Sequence, residues 1–390
     1  MIAGSITVLA VLSTLPPMSI SASYLNEFSE PLGYLDFAAI GPPSLRVRNA
    51  VAEAYARVSE PEGRVGPVMV GRYEGALAKL GRFLGVEPEL VTTVPTTSTA
   101  LFHVAFGLAP FGGNIVVPAH EFPTNLYPWL RAAGMGGPEV RMVEIPDRRI
   151  TPGALSDAVD DETRAIAVSA VDYLSGFRAD LGSLRELADD ALLVVDAAQG
   201  LGGVELDLAG ADVVAATGLK WLRAGFGTGV MAVSARSIEM LHSTLTGWWG
   251  VQDSFGWDEL PPHLARDDAE RFHDGGPSFF AALALAAAID VIDAEGMPAI
   301  GAAVIEAAKE IEDVVRSAGG EILDPWDGDE ERSGIVSFNM PEEPAAVTAQ
   351  RLDDAEITIS PRGDWVRVAA HASTDLSVLD VIAEVLDSGD

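Results

Sequence analysis

Apolar positions from residue 44 onward recur at helix spacing: Val47, Val51, Ala54 and Val58 fall on one side, and Ser44 is placed to cap the segment. A second helix is predicted over Arg72 to Phe83. Beyond it the period changes. Short β-branched runs alternate with helical stretches, predicting strands at 90–94, 114–117, 140–145, 165–170, 192–195, 212–216 and 228–233. Helices are predicted between them at 97–109, 124–133, 153–160 and 181–189. This alternation implies an α/β fold whose mostly parallel sheet is sandwiched by helices. In such sheets ligands sit at the carboxyl ends of the strands.

The pattern shifts again near the carboxy terminus. A helix rich in alanine and leucine covers 277–295, Gly296-Met297-Pro298 reads as its stop, and another helix runs to about Ser317. Strands near 334–339, 357–360 and 365–369, with helices near 344–353 and 376–387, predict a smaller α+β domain. The expected organisation is an apolar extension at 1–17, a segment at 18–64 packing with the small domain, a large domain at 65–276, a linking helix at 277–296 and the small domain at 297–390. The extension MIAGSITVLAVLSTLPP has no lysine or arginine before its apolar core and falls short of a membrane span. It is expected to be disordered or a misassigned start, and the protein cytoplasmic.

Charge narrows the partners. Aspartate and glutamate total 58 against 25 lysine and arginine, a net charge of −33, which repels nucleic-acid phosphates and anionic membranes. Neither is expected as a partner. Cysteine is absent, so disulfides, thiolate metal sites and thiol nucleophiles are ruled out together. The six histidines include no pair at the spacing of a zinc enzyme, and no metal is expected.

Polar groups gather where strands end. Thr96, Thr97, Ser98 and Thr99 follow the first strand of the alternating region and start a helix, whose free N–H groups and positive dipole end suit a phosphate. Asp196 and Gln199 follow Leu192–Val195, and Thr217 and Lys220 follow the strand at 212–216. An aspartate can pair with a protonated pyridine nitrogen, and a lysine can form a Schiff base with an aldehyde. Each group alone reads equally as a helix cap, a turn residue or a solvated charge. Their order and spacing carry the chemical reading.

The segment VVDAAQGLGGVELDLAGADVVAATGLKWLRAGFGTGVMAVS at 194–234 resembles the signature of class V aminotransferases. The resemblance continues through TTSTALFH at 96–103, FPTNLYPW at 122–129, FHDGGPSFFAALALAAAIDVI at 272–292 and VRVAAH at 366–371, covering roughly residues 30–390. It implies a fold-type-I enzyme using pyridoxal 5′-phosphate (PLP) on an amino acid substrate, as a homodimer with shared active sites. Lys220 would carry the cofactor and then move the α-proton. Asp196 would keep the pyridine nitrogen protonated, Gln199 would bond the ring hydroxyl, and Ser98, Thr99 and Thr217 would hold the phosphate. Gly276 would reach that phosphate from a second subunit.

The resemblance divides over the stacking group. Cysteine desulfurases place histidine there, whereas FPT at 122–124 is similar to kynureninases and makes Phe122 the stacking residue; GWWG at 247–250 points the same way. Leu219, however, stands where a kynureninase has tyrosine. Arg367 matches the arginine that clamps the substrate α-carboxylate, a task its planar fork suits. Tyr173 and Arg178 are further candidates over the site. With no thiol, desulfuration through a persulfide on the chain is excluded. Transamination is the broadest expectation; C–S lysis is the alternative, with epimerisation and kynureninase-like hydrolysis also open.

Overall fold

Small and β-branched residues buried on both faces build the centre of the molecule. The computed structural model describes residues 20–60, 63–256, 263–323 and 326–388; the apolar extension at 1–17 lies outside the described residues. Seven strands, β1 (Val91–Val94), β2 (Asn114–Pro118), β3 (Glu139–Val143), β4 (Thr163–Ser169), β5 (Leu192–Asp196), β6 (Val213–Thr217) and β7 (Gly229–Val233), form one sheet in the order β1-β7-β6-β5-β4-β2-β3. Strands β2 to β6 are mutually parallel, as expected, and β7 is antiparallel to both neighbours. The exception has a local cause. Only a short Gly-rich excursion separates β6 from β7, with Gly225 and Gly227 at positive φ, so no crossover helix fits and the chain folds straight back.

Alternate residues feed two cores. Leu192 and Val194 of β5 pack with the helix Thr97–Leu108 on one face, while Leu193 and Val195 pack on the other with helices Leu45–Ser59, Val65–Leu84 and Phe279–Glu295. The near-continuous apolar character of β4 and β5 follows from this double burial. A third core lies under a four-stranded antiparallel sheet built from β8 (Glu321–Ile322), β9 (Ile335–Asn339), β10 (Ser360–Arg362) and β11 (Trp365–Ala369), in the order β10-β11-β9-β8.

Three elements differ from the reading of the sequence. The second helix starts at Val65 and not near Arg72, because Pro67 sits in the first turn, where its missing N–H goes unused, and Met69 extends the buried stripe of Tyr73, Ala76 and Leu80. The helix predicted at 153–160 is one turn, Pro152–Leu155, followed by a 3-10 turn. Asp160 is drawn away to accept from Asn114 at 2.9 Å and Arg141 at 2.7 Å, and Leu155 is the one buried side chain available to hold a longer helix. The strand predicted at 357–360 begins only at Ser360, since Thr358 bridges to Tyr34 of the amino-terminal segment.

That segment ties the two sheets together. Leu35 donates its N–H to Thr358 O and accepts from Ala369 N–H, and a few residues later Gly41 donates to Leu219 O at 2.8 Å. A β-carbon at Gly41 would lie 2.0 Å from Lys220 O, so only glycine passes so close to this turn. Arg223 locks the arrangement: it donates to Pro42 O at 2.7 Å and to both oxygens of Glu30, at 3.0 and 2.6 Å, with both side chains buried. Removing one partner strands the other charge out of water. Arg223→Ala is therefore expected to destabilise the protein by about 3–5 kcal/mol in urea unfolding. Arg223 also holds the Glu30 carboxyl below its usual range, against the upward pull of burial. The ion-pair part of this contribution should be complete at pH values above the ordinary carboxyl range and be lost as pH falls through Glu30's depressed value, so the gap between the wild-type and variant curves should narrow in acid.

Candidate active site

The carboxyl ends of β1, β4, β5 and β6 open into one cavity of about 230 Å³, lined by Thr96, Thr97, Ser98, Phe122, Thr124, Ser169, Val171, Tyr173, Asp196, Ala198, Gln199, Thr217 and Lys220. Lys220 enters from the turn after β6, which the Thr217 hydroxyl shapes by accepting from Leu219 N–H at 3.2 Å. The Lys220 ammonium stands 5.5 Å from the centroid of the Phe122 ring. Burial disfavours its charged form and brings the amine down to about 8, with Asp196 opposing the shift and Arg367 and Arg362 adding to it. Asp196 closes the floor. Its carboxyl is pushed upward by burial, opposed by the Ala198 N–H that it accepts at 2.9 Å and by Lys220.

Gln199 is fixed at both ends. Its amide donates to Ala38 O at 3.0 Å, and its carbonyl accepts from the Trp221 indole at 3.0 Å, which leaves one amide hydrogen for a ring hydroxyl. Across the cavity, the helix Thr97–Leu108 begins under its cap Thr96, whose hydroxyl accepts from Thr99 N–H at 3.1 Å. The buried Thr97 hydroxyl has no hydrogen-bond partner among the described residues. An orphaned hydroxyl beside a helix amino terminus is a ready donor to a phosphate. Ser98 and Thr124 add hydroxyls 2.9 Å apart. Thr99 is turned back to Thr96 and does not line the cavity.

A second group of side chains lies next to Phe122. The Tyr173 ring meets Phe122 edge-on at 5.4 Å, and its carbonyl accepts from Arg367 at 2.9 Å. Arg367 is almost wholly buried behind the cavity wall; Asp36 lies 3.4 Å from its other terminal nitrogen, and its Nε has no partner among the described residues. A guanidinium this poorly satisfied is a place for a further carboxylate. Arg178, considered from sequence, stands elsewhere: its guanidinium is committed to the carbonyls of Glu330, Asp329 and Glu205. Gly276 is exposed beside Trp248 and does not line this chain's cavity.

Sequence reasoning passed over Thr124, Ser169 and Glu121 and gave Thr97 no role of its own. Thr97 stood inside the hydroxyl run, and Glu121 directly precedes Phe122, but nothing in composition or spacing distinguishes a buried hydroxyl from a cap. The residues present fit a flat ring with an anionic arm. Phe122, Val171 and Ala198 would give apolar faces, Asp196 a carboxyl at one edge and Lys220 an amine at another, and the hydroxyls with the helix terminus would hold the arm.

Comparison with known proteins gives the family. The model of the family "Aminotransferase class-V" matches residues 34–377. A probable cysteine desulfurase of Methanothermobacter thermautotrophicus is 29% identical over 91% of this chain and 94% of its own length. The kynureninase of Pseudomonas fluorescens is 29% identical over 46% of this chain and 45% of its own. In fold, the cystine C-S lyase C-DES, solved with its reaction product cysteine persulfide, superposes with a TM-score of 0.83 at 18% identity, covering 92% of this chain and 98% of its own. With a match that spans the large sheet, the lysine turn and the whole small sheet, this chain belongs to the class V aminotransferase family and is a PLP-dependent enzyme.

Proposed function

We propose that the enzyme acts on an α-amino acid carrying sulfur at its β-carbon and breaks the C–S bond. The observation that carries the site reading is the buried Lys220 amine, held between Asp196 and the Phe122 ring in a cavity backed by Arg367. When bound, PLP supplies the electron sink that makes the α-proton removable. Lys220 would carry the cofactor, and its amine, brought down to about 8, is suited to take the α-proton and pass it to the departing sulfur. Asp196 keeps a proton on the ring nitrogen, and Gln199 donates its remaining amide hydrogen to the ring hydroxyl. Phe122 would shield the ring from water, while Thr97, Ser98 and Thr217 would hold the phosphate. Arg367 and the Tyr173 segment orient the substrate carboxylate.

One observation supports C–S cleavage over the transamination expected from the family's breadth: relatives that match over most of the chain are named probable cysteine desulfurases. This chain has no cysteine to receive the sulfur. The sulfur therefore leaves as a free product after the α-proton is taken, with the C–S bond electrons departing on it, and water then releases pyruvate and ammonia. Gly276 is assigned to the phosphate of a second copy's site, making the enzyme a homodimer.

The test is to give the holoenzyme S-substituted cysteines without any keto acid. Pyruvate and thiol in equal amounts are expected; amino-group exchange that depends on an added keto acid would overturn the assignment in favour of transamination. Cofactor-free protein should capture PLP faster as pH rises through about 8, because only the neutral amine attacks an aldehyde. Borohydride should then fix the cofactor on Lys220, as read by peptide mapping. For Asp196→Asn, much of the cofactor should stay bound while turnover falls steeply, measured as kcat at saturating substrate; wild-type turnover would contradict its role. Arg367→Ala should weaken an amino acid substrate about 30-fold or more while affecting the matching amine, which has no carboxylate, far less. Equal losses for both compounds would make Arg367 structural.

A further inference from the structure

Strand β2 turns away at Pro118, while β4 runs on to Ser169. Ala170 donates to Asp196 O on the β5 side, so the preceding amide, Ser169 N–H, points to where β2 is missing. Glu121, in the turn after β2, fills that gap. Its Oε1 accepts from Ser169 N–H at 2.6 Å, and its Oε2 makes a short hydrogen bond with the Ser169 hydroxyl. Both residues are buried, Ser169 lines the cavity, and Ser169 stands beside Asp196 in the register of β4 on β5. Glu121 thus straps the turn that carries Phe122 onto the strand next to Asp196.

A carboxyl in this place has two forms with opposite consequences. Ionised, it only accepts, so the Ser169 hydroxyl proton turns to Glu121 and Ser169 shows the cavity lone pairs alone. Protonated, it gives its own proton to Ser169 Oγ and frees the Ser169 hydroxyl proton to point into the cavity. We propose that Glu121 is a positioning residue whose protonation sets Ser169 as donor or acceptor toward the cofactor ring beside Asp196. This rests on the reading that the ring lies in the cavity with its nitrogen at Asp196.

The surroundings decide which form prevails. Burial is the largest influence and, with the carboxylates of Asp196 and Asp172, carries Glu121 up to about 8 against the two Ser169 hydrogen bonds. Arg148 draws it the other way, but this guanidinium is engaged by Asp172 at 2.9 and 2.7 Å. His120, next in the chain, is turned to Glu144 at 2.9 Å, and Lys220 faces the same wall through Asp196. Below about pH 8 Ser169 therefore donates into the cavity; above it, Ser169 accepts and a second negative charge stands beside Asp196.

The experiment follows the visible band of the holoenzyme with pH in wild type, Glu121→Gln and Ser169→Ala, together with the infrared band of a protonated carboxyl in holo and cofactor-free protein. Glutamine keeps the shape and fixes the protonated pattern, its oxygen toward Ser169 N–H and its amide donating to Ser169 Oγ. Wild type should show an inflection near pH 8 that both variants lack, and a carboxyl band that fades through the same pH and is missing in Glu121→Gln. An unchanged inflection in Glu121→Gln, or no protonated carboxyl band below pH 8, would overturn the proposal. Borohydride mapping keeps the two readings apart. Cofactor fixed on a lysine other than Lys220 would sink the site assignment, while the infrared band of the cofactor-free chain still decides whether Glu121 holds its proton.

Discussion

A lysine amine and an aspartate carboxyl are forced out of water together at the carboxyl ends of β5 and β6, and the rest of the site is arranged around that enforced pairing. Burial opposes the charge on each, lowering Lys220 and raising Asp196, and each partly restores the charge of the other. Such a pair is weak as a source of stability, because the desolvation of both groups offsets their attraction. Its value is chemical. It leaves an amine that can lose its proton near neutral pH and a carboxyl poised to accept a partner such as a protonated ring nitrogen.

Holding these groups in place requires walls that do not yield. The sheet gives one: four strands converge, with β4 and β5 buried on both faces, so their ends move little. The amino-terminal segment gives the other. It lies against the lysine turn so closely that Gly41 has no room for a side chain, and it is pinned by Arg223 to Glu30 and by Ala38 to Gln199. The same segment places Asp36 beside Arg367, so the position of the substrate-side arginine depends on residues from both ends of the chain. Glu121 plays the equivalent part on the far wall, taking over a backbone donor that the departing strand leaves behind.

Much of this was legible in the chain because it is local. The continuous apolar run Leu192–Val195 marked a strand buried on both sides, and a hydroxyl run before an apolar stretch marked a helix start. The spacing of Asp196, Gln199, Thr217 and Lys220 reflects strand ends that the sheet brings to one edge. Element boundaries were less legible. The shortened helix after Thr151 turned on partners remote in sequence, Asn114 and Arg141 for Asp160.

By itself the sequence determined the α/β alternation, the ordered set of strand-end residues and, through their resemblance to a family pattern, the cofactor. Only the tertiary structure decided that β7 runs antiparallel, that Thr97 and not Thr99 faces the cavity, that Arg178 serves the fold, and that Glu121 is buried against Ser169. The physical reason is that strand and helix periodicity are written in neighbouring residues, whereas the burial of a polar group, and hence its charge and its free hydrogen-bonding capacity, is set by what distant segments place against it. Arg367 illustrates the division: its residue type announced a carboxylate partner, but its half-satisfied guanidinium exists only because Asp36 and Tyr173 arrive beside it from elsewhere in the chain.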